Sequence, residues 1–583
     1  MKIASFALGT AALASLASAQ FQPTPSGITV ATSKVNKEVK ISYKEIEICE
    51  TAPGVHSYSG YVHIPGSLVG RLGGYDMNVY FMYFEARKNP KTAPLAVYLA
   101  GGPGEASSYA ALNSESGPCY VNHEGTNTTI NPWSFSNHVN MLYIDQPIEV
   151  GFSYSSLING TYNTTSLLVT PDNANSTSLP PGYGTFSDQA ASTTANTTVA
   201  SARGLWVFAE HWFSSFPGYD TSSNDISFWG NSYGGFYVPE VAATVSKQLK
   251  KLTTSHPLRQ KDLKVDAIGI TNGCVDFYYQ MEGFPEYANN NTYGVKFYND
   301  TTYREIQNNI TKPGGCLDMT KQCRHAGEVG DPDYTGNNAT VNEICTDAYY
   351  YCASCIELLY TIHNVSTYDI AIETPGTCAY YLTVGEYLNK PDVQSALGVP
   401  LNWTWYSNEV ASAFTGLAGT GDAFRQSNLP NLEYLLNEGV KTALIYGDRD
   451  YTCPVTGAEM LAKAVPWKNR KGFADAGYQE LKGLSQSAKG GVAKQYGRLS
   501  FTRVFESGHQ VSAYAPEAVF TIFDRTIFNK DVVTGGKGVG PDYHTTGPKE
   551  SSGWKSKLPG PFQDVCMVEG NFSSSRSFAA PDW

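Results

Sequence analysis

The sequence predicts an α/β fold in which a mostly parallel central sheet, covered by helices, is interrupted by a largely helical insertion. Three observations lead there. Runs apolar on both faces recur at 94-PLAVYLA-100, 139-VNMLYID-145, 225-DISFWG-230, 265-VDAIGIT-271 and 441-KTALIYG-447, as strands buried on both sides of a parallel sheet must be. Long crossovers with helical patterns separate them, and no Pro/Gly/Ser-rich linker or internal repeat divides the 583 residues. Between about Thr271 and Lys441 the strand signal fades, and cysteines, sequons and a tyrosine-rich helix-like stretch replace it.

Taken in order, the chain opens MKIASFALGTAALASLASAQ: one lysine, an apolar run, then small residues, the pattern of a secretory signal over residues 1–19 with Gln20 as the mature start. A membrane anchor is the alternative, but serines interrupt the run and it is short for a bilayer of about 30 Å. Residues 20–271 and 441–534 then build the α/β core. Within it, 197-TTVASARGLWVFAEHWFSSF-216 carries helical periodicity between two strands. Residues 155–192, rich in Asn, Thr, Ser and Pro, read as an exposed glycosylated loop. Residues 272–440 form the cap insertion, stapled by disulfides because it has little core of its own. There the cysteines at 316, 323, 345 and 352 are spaced by seven at each end, which suggests Cys316–Cys352 nested around Cys323–Cys345. Four cysteines allow three connectivities. A zinc site competes with this reading, but the spacing lacks short Cys-x-x-Cys pairs at both ends. Residues 535–583 form a weakly patterned tail in which Cys566 is the candidate tie to the body.

Composition bounds the compartment and the partners. Sequons stand at Asn127, Asn159, Asn163, Asn175, Asn196, Asn290, Asn299, Asn309, Asn338, Asn364, Asn402 and Asn571, so N-linked glycans are expected. Charged residues are only 16%, against about 25% in a typical domain. A net charge of −12 without basic clusters argues against nucleic acid and anionic membranes as partners. The 11 cysteines suit an oxidising compartment, with at least one left over. The expected location is the extracellular space or a vacuole.

The chemistry starts at 228-FWGNSYGGFYVPE-240, where Gly-x-Ser-x-Gly follows a strand. This is the form of a nucleophile elbow, a sharp strand-to-helix turn that exposes Ser232. Alone it is weak, since about 0.4 chance matches are expected in a chain of this composition. The fold then demands an acid after a later strand and a histidine later still. In 444-LIYGDRDYTCP-454, Asp448 and Asp450 follow a strand, and in 503-RVFESGHQV-511, His509 follows another. A base must take the serine proton, and a buried carboxylate must hold the imidazole and stabilise its cation. The third component is 98-YLAGGPGEASSY-109, whose glycines let backbone N–H groups turn toward a developing oxyanion, each worth about 2.7–4 kcal/mol of barrier.

At this point the sequence resembles the serine carboxypeptidases of the α/β-hydrolase fold, most closely their secreted fungal branch. The likeness runs through 49-CETAPGVHSYSGYV-62, GGPG, 115-ESGPC-119, 131-NPWSFSNHVNMLYIDQPIEVGFSY-154, NSYGGFYVPE, 316-CLDM-319, 387-YLNKPDVQSALGV-399, GDRDYTCP and SGHQV. The resemblance implies Ser232 as nucleophile, His509 as general base and Asp450 as the orienting acid, with the N–H groups of Gly102 and Tyr233 as oxyanion hole. It also implies release of C-terminal residues from peptides at acidic pH, through an acyl-enzyme and with neither metal nor cofactor. Cys453 matches a position that is an unpaired thiol near the substrate pocket in some relatives, which makes it the candidate for the odd cysteine.

The chain departs from the family where the substrate's carboxylate is read. The family uses Trp-x-Asn before the glycines, a Glu in the following helix and a Glu before the nucleophile. Here Tyr98 and Ala100 stand in the first motif, just before Gly101, and Asn231 replaces the last Glu; only Glu115 matches. The usual Cys after GGPG is Glu105. Two close carboxyls can share a proton and bind a carboxylate in acid, whereas Asn231 donates at any pH, and an ionised Glu115 with Glu105 would repel a peptide's carboxylate. Two other readings therefore stay open: an esterase or acyltransferase on the same triad, suggested by Ala100 and Asn231, and a binding protein with a vestigial triad.

Overall fold

All five apolar runs are strands of one 12-stranded sheet in the computed structural model, which describes residues 25–556 apart from 71–72, 114, 173–179, 357–364 and 373–379. The expected signal segment, the sequons at Asn175, Asn364 and Asn571, and Cys566 lie outside the described residues. The strands are β1 (Thr29–Thr32), β2 (Lys40–Glu45), β3 (Ser57–Ile64), β4 (Met77–Phe84), β5 (Leu95–Leu99), β6 (Asn140–Ile144), β7 (Asp225–Asn231), β8 (Lys264–Thr271), β9 (Lys441–Gly447), β10 (Gln479–Glu480), β11 (Gly491–Tyr496) and β12 (Leu499–Val504). Their spatial order is β1-β2-β3-β4-β6-β5-β7-β8-β9-β12-β11-β10.

The central strands β6, β5, β7, β8, β9 and β12 are mutually parallel. Antiparallel strands extend both sides, so the sheet is parallel in its middle and mixed across its width. Every residue of β5 and β9 is buried, which follows from cover on both faces. The outer strand β2 is only partly buried and gives no doubly apolar run to find.

Helices α1 (Ser107–Leu112), α2 (Thr198–Ser215), α3 (Gly234–Lys251) and α6 (Pro516–Ile527) belong to this core. The expected helix is α2; Thr197 caps it by accepting from the Ala200 N–H, and Ser or Thr there is worth about 1 kcal/mol. Its Trp212 packs edge-on against Phe81 and Tyr83 of β4. Phe523 of α6 packs against Trp229 of β7.

No strand occurs among the described residues of 272–440. Two of its helices, α4 (Cys316–Gly330) and α5 (Ala339–Ser354), are joined by Cys316–Cys352 and Cys323–Cys345, the nested pairs suggested by spacing. Cys49–Cys119 and Cys274–Cys453 are further disulfides, and Cys355 has no disulfide partner among the described residues.

The segment 155–192 differs from the loop expected. Its described residues form a three-stranded antiparallel sheet, Leu168–Pro171 beside Leu157–Asn163 beside Tyr183–Ser187. Tyr, Thr and Ile supply β-propensity inside a composition that otherwise reads as loop. The start of the tail is also ordered: Arg503 donates to the backbone oxygens of Ser551 and Trp554. One sequon is closed to a glycan. Asn402 is 6% exposed and its Oδ1 accepts from Gln394, whereas Asn127, Asn159, Asn163, Asn290 and Asn299 are exposed. Among the described residues, no helix is long and apolar enough to cross a membrane.

Candidate active site

The carboxyl ends of β5, β7, β8, β9 and β12 bring the candidate residues together, the usual location for sites in parallel sheets. Ser232 follows β7 at φ +55°, a left-handed conformation that costs free energy in a non-glycine residue and is expected at an elbow. Small neighbours make the turn possible: a Cβ on Gly230 would collide with the Leu99 carbonyl. The loop after β5 lies directly against the serine, since a Cβ on Gly101 would come 2.8 Å from Ser232 Cβ and 2.7 Å from Tyr233 N. Neither the Gly102 nor the Tyr233 N–H donates to an acceptor among the described residues. The Tyr233 side chain is tied to the insertion, where its hydroxyl donates to Asp422 over 2.7 Å.

Of the two acids after β9, Asp448 is held by Arg503 at 2.9 Å and by the Tyr293 hydroxyl at 2.5 Å, while Asp450 meets the histidine. His509 Nδ1 lies 2.8 Å from Asp450 Oδ2. Both residues are buried, at 6% and 0% exposure. His509 Nε2 is buried with no hydrogen-bond partner among the described residues, and no hydrogen bond joins it to the Ser232 hydroxyl. Catalytic contacts of this kind are often loose before substrate binds.

Sequence reasoning missed Asn272, whose Nδ2 donates to Asp450 Oδ2 over 2.7 Å and whose Oδ1 accepts from the Gly447 N–H. An asparagine immediately after a parallel strand was the available signal. The N–H groups of Thr452 and Cys453 also donate to Asp450, at 2.9 and 3.4 Å. Tyr368, equally unforeseen, is 48% exposed; its carbonyl accepts from the His509 N–H and its ring lies 5.1 Å from the imidazole. Cys453 requires a correction. It is not an unpaired thiol but is bonded to Cys274, whose N–H donates to the Ser232 carbonyl at 3.1 Å. The bridge therefore links the elbow to the acid loop.

Two of the residues expected to read a carboxylate, Tyr98 and Asn231, meet at Glu115. Tyr98 is buried and donates its hydroxyl to Glu115 Oε2 over 2.7 Å, so it reaches a ligand only through that carboxyl. Asn231 Nδ2 is 3.5 Å from Glu115 Oε1, and Asn231 Oδ1 is buried without a partner among the described residues. The Ala100 N–H is used by Ser107 Oγ. Burial raises the Glu105 carboxyl to about 8, helped by the Glu115 charge, while His509 and the Gly101 amide pull the other way. Burial also raises Glu115, against the Tyr98 hydroxyl and His509. His509 itself sits above the ordinary histidine value: burial lowers it, but Asp450, Glu105 and Glu115 outweigh burial.

With a serine elbow, free N–H donors, a buried acid–imidazole pair and a carboxyl cluster in one cleft, the arrangement can carry out acyl transfer. The family model described as serine carboxypeptidase matches residues 48–529. Carboxypeptidase S1 homolog A of Arthroderma otae is 40% identical over 95% of this chain and 86% of its own. Carboxypeptidase S1 of Penicillium janthinellum is 30% identical over 84% of this chain and 99% of its own. Among solved structures, a prohormone-processing carboxypeptidase of Saccharomyces cerevisiae superposes with a TM-score of 0.61 at 19% identity, covering 83% of this chain and 95% of that one. That likeness shows a shared fold.

Proposed function

This chain belongs to the serine carboxypeptidase family, a serine-type hydrolase, and on that premise we propose that it releases C-terminal residues from peptides through an acyl-enzyme on Ser232. The observation that carries the reading is the imidazole of His509, tied through Nδ1 to Asp450 while its buried Nε2 has no partner among the described residues. As substrate enters, Nε2 takes the proton of Ser232 Oγ while that oxygen attacks the scissile carbonyl carbon. The oxyanion is received by the idle N–H groups of Gly102 and Tyr233. Asp450 holds the Nδ1–H tautomer and stabilises the imidazolium, which returns its proton to the leaving amine. Water, deprotonated by the same Nε2, then cleaves the ester and frees the shortened peptide. The carboxylate of the departing residue is taken by the cleft that contains Glu115, Asn231 and the 100–105 loop.

Four disulfides among the described residues, exposed sequons and the signal-like start support a secreted or vacuolar glycoprotein. Kinetics on an N-blocked dipeptide and its C-terminal amide test the function. The free acid should be cleaved and the amide spared; equal rates would overturn the reading. Turnover of small esters without amino-acid release would favour an esterase or acyltransferase, the alternative that Ala100 and Asn231 suggest.

A further inference from the structure

We propose that Asp422, a residue of the insertion, is a positioning residue for the oxyanion hole: it grips the phenol of Tyr233 and so fixes where the N–H of that residue points. The inference deepens the acyl-enzyme reading above and rests on it.

Tyr233 serves through its backbone and is held through its side chain. It follows the nucleophile directly and stands at the N-cap of α3, with its nitrogen so close to the loop after β5 that a Cβ on Gly101 would come 2.7 Å from it. Its side chain reaches the insertion, where the hydroxyl donates to Asp422 Oδ2 over 2.7 Å. Tyr233 is 6% exposed and Asp422 1%. The same carboxylate accepts from the Thr198 N–H at 3.0 Å and from the Thr198 hydroxyl. Thr198 is the first residue of α2, whose N-terminal dipole favours an anion there. One buried carboxylate thus joins the insertion, α2 and the turn that carries the nucleophile.

Asp422 is itself held firmly. It opens the short helix Asp422–Arg425, and Arg425 at the other end pairs with Asp331 at 2.5 Å, just after α4, and donates to Asn342 of α5 over 2.7 Å. Gly421, at φ +62°, lets the chain press against α5: a Cβ there would come 2.3 Å from the Cys345 carbonyl carbon. The disulfide-linked pair α4–α5 is therefore the base from which the phenol is gripped. The loop of the other oxyanion donor, Gly102, is fastened from the same insertion. There the Ser407 N–H donates to the Gly104 carbonyl and the Ala106 N–H to the Trp405 carbonyl, both at 3.0 Å. Both donors of the hole take their places from residues 405–422, and placement matters because a hydrogen bond weakens steeply as its angle closes. A bond to a carboxylate, roughly twice as strong as a neutral one, suits the phenol to that task.

The test begins with Tyr233→Phe, which removes the phenol oxygen and leaves the N–H in place. Losing an oxyanion donor outright lowers kcat by about 100- to 1000-fold, so a donor present but loosely held should cost about tenfold, with KM within about twofold of wild type. Asp422→Asn keeps the shape and weakens the acceptor. It should move kcat the same way by a smaller factor and add nothing once residue 233 is phenylalanine. The direct readout is binding of an N-blocked amino-acid aldehyde, whose carbon bonds to Ser232 Oγ while its oxygen enters the hole. Its affinity should fall in step with kcat, whereas the corresponding alcohol, which cannot bond to the serine, should bind as it does to the wild type. Assays well below each variant's melting temperature separate this from partial unfolding, since a merely destabilised variant regains wild-type kcat there. Such recovery, wild-type aldehyde affinity in Tyr233→Phe, equal losses for aldehyde and alcohol, or additive losses in the double variant each overturn the proposal alone. A wild type that neither bonds the aldehyde at Ser232 nor releases a C-terminal residue overturns the acyl-enzyme reading beneath it.

Discussion

Asn272 orients the acid of the proposed triad, bonding Asp450 with one end of its amide and the Gly447 N–H with the other. Hydrogen bonds to charged groups contribute about 1.5–3 kcal/mol. Asn272→Ala should therefore lower kcat by about 10- to 100-fold with little change in KM, because Asp450 touches the imidazole and not the substrate; an unchanged kcat would remove the orienting role. Ser232, Asp450 and His509 were legible in the sequence because each sits in a short motif with a fold-dictated order. Asn272 sits in no motif. Nor could spacing reveal the partner of Cys453, since Cys274 lies 179 residues before it. The buried tyrosine at position 98 reads as a pocket residue until the structure shows its hydroxyl spent on Glu115.

The helix pair α4–α5 is cross-linked by two bridges whose four cysteines are fully buried in its core. Replacing Cys323 and Cys345 with serine opens a cross-link of sequence separation 22 and should cost about 2–4 kcal/mol, read as a lower denaturant midpoint. An unchanged midpoint would mean that the helices hold each other without it. Elements were legible where the pattern is strong, as in five of the six central parallel strands, which read as runs apolar on both faces. They were not legible where polar side chains dilute the pattern: Leu157–Asn163, with its exposed Asn159 and Asn163, pairs on both sides yet reads as loop by composition.

Burial pushes several carboxyl groups of the folded protein toward their neutral form. Burial raises Asp145 to about 6 and Glu105 to about 8, and it also raises Glu149, Asp422 and Asp448. A raised carboxyl binds a proton in the fold that the unfolded chain has already released, so stability falls as pH rises through this window. His509, also raised, acts with the same sign. Asp331 and Asp531 are lowered, their hydrogen bonds and arginine neighbours outweighing burial; they oppose this only near and below the ordinary carboxyl range of about 4. Burial lowers His211 to about 4 and also lowers His63, which favours the fold as pH rises toward the ordinary histidine value of about 6.5, so the melting temperature should decline from about pH 6.5 toward about pH 8, at roughly 1 kcal/mol per pH unit for each proton retained. A melting temperature that rises over that interval would contradict the placement of these protons.

The decisive experiment is mass spectrometry of a mixed peptide library incubated with the protein and with its Ser232→Ala variant. Wild type should produce ladders shortened one residue at a time from the C-terminus, and the variant should leave the library intact. Internal cuts, or trimming that survives the loss of the Ser232 hydroxyl, would show that Ser232, His509 and Asp450 do not work as the peptide-cleaving unit described.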